Sequence, residues 1–325
     1  MSPDSPVLVT GAAGFIGRAV AERLLDRGEA VIGVDNFNAY YEVSLKEARA
    51  ATLEGRNRFQ LVRADIADAE AMARLVREHG IKRVVHLAAQ AGVRWSIDHP
   101  FDYAHSNLTG HLSILEACRD VPGFQHLVYA SSSSVYGERS LDGAFREEDA
   151  ADAPRSLYAA TKRADELISA AYAGLYAIPQ SGLRFFTVYG PWGRPDMAYF
   201  SFTRKILAGQ PIEVFGEGRM ARDFTYIDDI VDGVVGVLDR PPDPLAPRVL
   251  NIGDSRPVGL MDMIAALETA LGVSAQKVMK PMQPGDVTAT FADVTRLKAL
   301  TGYEPKVMLE DGLKRFVAWY RGYCG

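Results

Sequence analysis

The sequence predicts an α/β fold: a doubly wound parallel sheet with helices on both faces, followed by a smaller mixed α/β lobe. Three observations predict it. Apolar runs of strand length alternate with longer stretches of helical period. A glycine-rich turn joins the first strand to the first helix. After residue 190 the texture shifts toward proline, glycine and shorter elements.

Taken in order, the strand candidates are "PVLVT" (6–10), "AVIGVD" (30–35), "RFQLVRAD" (58–65), "RVVHLAA" (83–89), "HLVYAS" (126–131) and "SGLRFFTVYG" (181–190). Between them, "RAVAERLLDRG", "AEAMARLVREHG", "HLSILEACRDV" and "LYAATKRADELISAAYAGLYA" read as amphipathic helices. The segments "GPWGRPDMAYF", "PPDPLAPR" and "KPMQPGD" mark the second texture. The expected division is residues 1–190 with about 228–255 in the first part, and about 191–227 with 256–325 in the second.

Composition bounds the function. The chain has 325 residues, 48% hydrophobic and 24% charged, enough to bury a core of ordinary globular size. A net charge of −5 offers no basic excess for a phosphate backbone, so nucleic acid is not an expected partner. No apolar run approaches transmembrane length, and "MSPDS" leads straight into a strand, so neither a membrane anchor nor a leader is expected. Cys118 and Cys324 lie far apart, which fits a reducing cytoplasmic compartment. The six histidines, at 79, 86, 99, 105, 111 and 126, form no metal-binding spacing, and no metal is expected.

The first strand runs into "TGAAGFIG", with Gly11, Gly14 and Gly17 spaced G-x-x-G-x-x-G. Glycine there permits a tight turn, close approach of backbone N–H groups to a pyrophosphate, and helix packing on the strand. Alone, such a loop is weak evidence, since a plain tight turn of small residues also reads this way. Asp35 ends the second strand, where a carboxylate accepts hydrogen bonds from a ribose and repels the extra phosphate of NADP. NAD is therefore the expected cofactor. Asp65 ends the third strand and has two readings, one at the adenine and one as a helix N-cap.

"SLYAATKRADELI" sets Tyr158 and Lys162 four apart, on one helix face. A free phenol ionises near pH ~10 and is a poor base at neutral pH, but a neighbouring ammonium favours phenolate. Most Y-x-x-x-K matches are exposed pairs of no consequence; this one follows a dinucleotide loop and a strand ending in four serines, "YASSSSVYG". Tyr158 is the expected base, Lys162 its electrostatic helper, and Ser132 the hydroxyl that holds a sugar oxygen as it changes between alcohol and ketone.

Together "TGAAGFIG", "LAAQAG", "YASSSSVYG", "YAATK" and "LRFFTVYGP" resemble the extended branch of the short-chain dehydrogenase/reductases, from about residue 6 to the C-terminus. The resemblance implies a Rossmann-type domain for NAD, a smaller lobe for a nucleotide sugar, and a homodimer joined by two helices per subunit, here about 100–120 and 156–176. Within that branch "DNFNAYYEVSLKEAR", "AAQAGVRWSIDHP", "RFFTVYGPWGRPDMAYF" and "RDFTYIDDIVDGV" are similar to the UDP-glucuronate 4-epimerases.

That likeness implies Tyr158, Lys162 and Ser132 as the catalytic set. It implies Gly11, Gly14, Phe15, Ile16, Gly17, Asp35, Asn36, Asn38, Asp65, Ile66, Leu87, Ala89, Gln90 and Asn107 around NAD, with Ser131 beside them. For the sugar nucleotide it implies Arg222 at the diphosphate, Val214 and Phe215 of "PIEVFG" near the uracil, and Asp286 near the uridine ribose. Gln283 stands where galactose epimerases often carry arginine.

Related enzymes all begin by removing a proton from the 4-hydroxyl and hydride from C4. Dehydratases need a further acid and base where this chain has Ser133 and Ser134, so dehydration is not expected. A 4-ketone beside a C5 carboxylate loses carbon dioxide readily. Hydrogen bonds that hold the carboxylate out of overlap would prevent the loss. Ser132, Ser133, Ser134, Thr187 and Arg194 are the expected carboxylate shell, with Arg94 a further candidate; the competing reading for Arg194 is a loop pair with Asp196. The alternatives are a neutral UDP-hexose 4-epimerase, a UDP-glucuronate decarboxylase and a non-catalytic NAD-sensing scaffold.

Overall fold

The computed structural model describes residues 5–138, 143–282 and 289–324. The first ten strands are β1 (Val7–Thr10), β2 (Val31–Asp35), β3 (Phe59–Arg63), β4 (Arg83–His86), β5 (His126–Ser132), β6 (Gln180–Phe185), β7 (Thr187–Tyr189), β8 (Ile212–Phe215), β9 (Ala221–Tyr226) and β10 (Arg248–Ile252). Seven of them form one parallel sheet in the order β10-β6-β5-β4-β1-β2-β3. β1 and β2 are buried at every position, as strands covered on both faces must be.

The chain winds outward from β1 through β2 to β3 and then restarts on the other side of β1 with β4. Between β1 and β4 the winding reverses, which opens a crevice at the carboxyl ends of the strands. Helix α1 (Phe15–Asp26) follows β1 and presents Phe15, Ala19, Val20 and Leu24 to the core. Helix α2 (Val43–Glu54) follows β2, and α3 (Ala69–Glu78) follows β3.

The run 181–190, read from sequence as one strand, is two. β6 ends at Phe185 inside the large sheet, and β7 begins at Thr187 in a second sheet, paired in parallel with β9. The chain therefore changes sheets across Phe186. This second sheet also takes in Pro257–Gly259 and Ala289–Thr290. The helix Ile227–Leu238 and β10 return to the first sheet, with β10 at its edge beside β6. One apolar cluster joins Val9, Val20 and Leu24 to Tyr189, Phe224, Ile230, Leu313 and Phe316, so the two sheets share a core. No helix among the described residues is long and apolar enough to cross a membrane.

Candidate active site

β1 ends at Thr10, and Gly11 turns the chain with φ 72, in the left-handed region where glycine alone is unstrained. A Cβ on Gly17 would lie 1.9 Å from the Gly11 carbonyl oxygen, so the first turn of α1 sits directly on the loop. Gly14 caps α1 without a side-chain bond, and the first turn carries no acid. The N-terminal N–H groups and the positive end of the helix dipole therefore face the crevice with no acid of their own turn to compete.

At the end of β2 the Asp35 carboxylate accepts from the amides of Ala13 (3.0 Å) and Phe37 (2.8 Å), which fixes its orientation and leaves lone pairs for ribose hydroxyls. These residues fit a dinucleotide: a small-residue cradle, an open helix N-terminus and an oriented acid.

Two cavities meet here. The first, of 260 Å³, is lined by Gly11, Gly14, Phe15, Ile16, Gly17, Asp35, Asn36, Asn38, Ile66, Leu87, Ala89, Gln90, Ser131, Ser132, Tyr158 and Lys162. The second, of 600 Å³, is lined by Arg94, Ser132, Ser133, Ser134, Tyr158, Thr187, Arg194, Phe215 and Arg222. Ser132, Tyr158 and Arg194 line both.

The helix Leu157–Tyr176 carries Tyr158 and Lys162. Ser156 caps it by accepting from the Ala159 amide at 3.1 Å. Tyr158 is half-buried at the junction of the cavities, edge-on to the ring of Tyr103 at 6.0 Å. Lys162 is buried and donates to the Ala130 carbonyl and to Asp165 Oδ2, each at 3.0 Å. Ser132 Oγ accepts from the Ser134 amide (3.2 Å) and from the Ser134 hydroxyl (2.9 Å). Both acceptor positions of Ser132 are thus taken, and its own proton is left to donate into the site.

Several expected residues stand elsewhere. Asn107 does not line the first cavity. It lies behind the wall, fully buried, accepting from the Gln90 amide (2.8 Å) and donating to the Gln90 carbonyl (3.2 Å) and Thr161 Oγ1 (2.9 Å). Asp65 does not line the cavity either, nor is it the N-cap of α3, a place Asp68 takes. It accepts from the Ala67 amide, His105 and Asn36. Burial would push its carboxyl up, but these partners outweigh it and hold it below the usual range.

Ser131 reaches the first cavity, but its hydroxyl donates to Glu166 at 2.6 Å. Val214 is wholly buried in the apolar core, and of that strand's named pair only Phe215 faces the second cavity. Asp286 and Gln283 lie outside the described residues.

Other residues of the site carried no assigned role in the sequence reading. Tyr40 lines both cavities and donates to Asp196 Oδ2 at 3.0 Å. Lys46 lines the first cavity and donates to the carbonyl (2.8 Å) and side-chain oxygen (2.6 Å) of Asn38; burial pushes its ammonium down to about 8.

Arg49 is wholly buried and has no carboxylate partner among the described residues. It donates to the carbonyls of Ala13, Trp192 and Gly193 and to the Tyr41 hydroxyl. Trp192 has φ 63, rare for a bulky residue, and the Arg49 bond to its carbonyl helps hold that conformation. Two cations three apart on the apolar face of α2, beside Leu45 and Leu53, are the signal by which sequence alone marks this helix. No group of three His, Cys, Asp or Glu side chains arranged for a metal occurs among the described residues.

Residues 7–253 match the model of the NAD dependent epimerase/dehydratase family. The chain is 47% identical over 331 residues to UDP-glucuronate 4-epimerase 4 of Arabidopsis thaliana, covering 98% of this chain and 75% of that one. It is 46% identical over 329 residues to a probable UDP-glucuronate 4-epimerase of Rhizobium meliloti, covering 96% of each. The fold is similar to the crystal structure of UDP-glucuronic acid 4-epimerase from Bacillus cereus in complex with UDP-glucuronic acid and NAD. The TM-score is 0.91 and the identity 37%, over 98% of this chain and 99% of that one.

Proposed function

The chain belongs to the NAD-dependent epimerase/dehydratase family, and from that premise we propose that it is an isomerase interconverting UDP-glucuronate and UDP-galacturonate by inversion at C4. One observation carries the proposal. Tyr158, Ser132 and Arg194 line both cavities, so a base, a hydroxyl donor and a cation converge where a cofactor and a sugar acid would meet.

The glycine loop and Asp35 would hold NAD, which would supply the hydride acceptor and donor that inversion at C4 needs. The protein's own groups do the rest. Tyr158 takes the proton of the 4-hydroxyl and gives it back. Lys162, held by Ala130 and Asp165, is the electrostatic helper of Tyr158 one helical turn away. Ser132 donates to the reacting oxygen, since Ser134 fills its acceptor positions.

Ser133, Ser134, Thr187 and Arg194 line the sugar cavity, and the donors of Ser133, Thr187 and Arg194 hold the C5 carboxylate out of alignment with the neighbouring ketone, which suppresses loss of carbon dioxide. The diphosphate end falls to Arg222 and the uracil to Phe215. The division of the chain at about residues 190, 228 and 255 follows the same roles. A homodimer through residues 100–120 and 156–176 is supported by Phe101, Leu112, Leu167 and Leu175, which those helices leave exposed.

The test is NMR of the purified protein with UDP-glucuronate and, separately, UDP-glucose. The acid sugar should be inverted at C4 without carbon dioxide release, and Tyr158→Phe should abolish inversion while retaining NAD. Preference for UDP-glucose would make the chain a neutral UDP-hexose epimerase; carbon dioxide would make it a decarboxylase; no turnover of any UDP-sugar would leave a cofactor-binding scaffold.

A further inference from the structure

Lys162 does not stand alone beneath the active site. Asp165, three residues on, is as deeply buried, with Oδ2 accepting from Nζ at 3.0 Å. The other oxygen, Oδ1, is buried and has no hydrogen-bond partner among the described residues. A carboxylate with one oxygen satisfied and one bare is an expensive arrangement that needs an explanation.

Charged and titratable groups face Asp165 from the elements packed around it. Lys162 and Glu166 share its helix; Glu166 is bonded to Arg184 of β6 and stays ionised. From β5 it faces the Tyr129 phenol, which burial pushes up. From the helix Gly110–Arg119 it faces His111, which burial pushes down to about 3. His86 of β4, stacked on His111 at 5.4 Å, is likewise held neutral. Asp165 itself is pushed by burial up to about 6, with Lys162 acting against the shift. Set against Glu166, Tyr129, His111 and His86, it is the group that changes charge near neutrality.

We infer that Asp165 is a positioning residue which, through Lys162, sets how strongly the site favours the phenolate form of Tyr158. The inference rests on the proposed role of Tyr158 as base. With Asp165 ionised the buried pair is neutral and its field at the phenol is weak. With Asp165 protonated the pair carries one net positive charge, one helical turn from the phenol. The carboxylate thereby restrains Lys162, and the site becomes most phenolate-favouring when that restraint is lifted.

Asp165→Asn tests this, because the amide oxygen still accepts from Lys162 while the charge is gone. Two readouts are used on NAD-loaded protein. One is the acid limb of kcat for UDP-glucuronate against pH. The other is the ultraviolet titration of tyrosinate, taken as the difference from the same protein carrying Tyr158→Phe. Both midpoints should move to lower pH by about one unit, and Asp165→Ala, which also removes the hydrogen bond, should move them in the same direction.

A limb and a titration midpoint that do not move, or a uniform loss of kcat at every pH, overturn the inference. So does the absence of a Tyr158 transition from both parent and variant. If the parent fails to invert UDP-glucuronate, the proposed function fails, and the tyrosinate titration still decides the role of Asp165.

Discussion

Arg194 and Asp196 form a two-pronged ion pair across a single intervening proline, Nε to Oδ1 at 3.0 Å and the terminal NH2 to Oδ2 at 2.5 Å. Burial opposes charge on both partners, yet each holds the other ionised: the guanidinium is raised and the carboxyl kept below its usual range. Tyr40 donates to the same carboxylate at 3.0 Å and completes the mount. The loop pair with Asp196 is thus present, and the same guanidinium lines both cavities.

Replacing Arg194 by Ala is expected to raise KM for UDP-glucuronate at least about tenfold more than for UDP-glucose, the scale of one lost charge-assisted hydrogen bond. Thr187→Ala is expected to act in the same direction and more weakly. Steady-state kinetics on both sugars decide it, and equal losses would remove the carboxylate from Arg194.

Lys46 gives the cofactor site a pH dependence. Its buried ammonium loses its proton as pH rises through about 8, lower than in the unfolded chain. The unfolded chain therefore binds more protons than the folded one above that value, so the penalty of burying Lys46 relaxes as pH rises. The same rise removes a positive charge from the wall of the first cavity. NAD affinity, measured by titration calorimetry, should fall through pH 8, and Lys46→Met should bind more weakly at pH 7 and show no such fall.

Glu166 is the anion on which three elements converge: Arg184 bonds it at 2.8 and 2.9 Å, Arg163 at 2.7 Å and Ser131 at 2.6 Å. Burial pushes its carboxyl up, but Arg184 and the other donors prevail and hold it below the usual range. Its contribution to stability is complete above the ordinary glutamate value of about 4.3 and is lost as pH falls through the folded value. Glu166→Gln should cost about 3 kcal/mol in urea unfolding at pH 7 by leaving Arg184 uncompensated. The difference should shrink in acid, and the double variant with Arg184→Met should recover part of it.

The legible parts of the site were those in which chemistry and spacing are local. Gly11, Gly14 and Gly17 form one turn, Asp35 ends one strand, and Tyr158 and Lys162 share one helix face, so each is visible within a few residues. The sheet was legible for the same reason, from apolar runs bounded by turns. What escaped depends on pairings across the chain. Nothing near Asn107 tells that its amide joins Gln90 to Thr161, and Arg49 acquires its partners only when residues 13 and 192–193 are brought to it. The division of residues 181–190 between two sheets was hidden because both halves are apolar; pairing partners, not composition, separate them.

The guanidinium of Arg49 also limits how this scaffold can be re-engineered. Because it binds the carbonyl of Ala13 on one side and those of Trp192 and Gly193 on the other, the dinucleotide loop and the Arg194 loop are joined through one side chain. A chimera that imports a foreign sugar-binding segment at residue 191 must bring two carbonyls to that same fork, or it inherits a buried cation with two of its donors unmet. The natural unit of exchange is thus α2 together with the 190–196 loop, two stretches far apart in the chain that have to be transplanted as one.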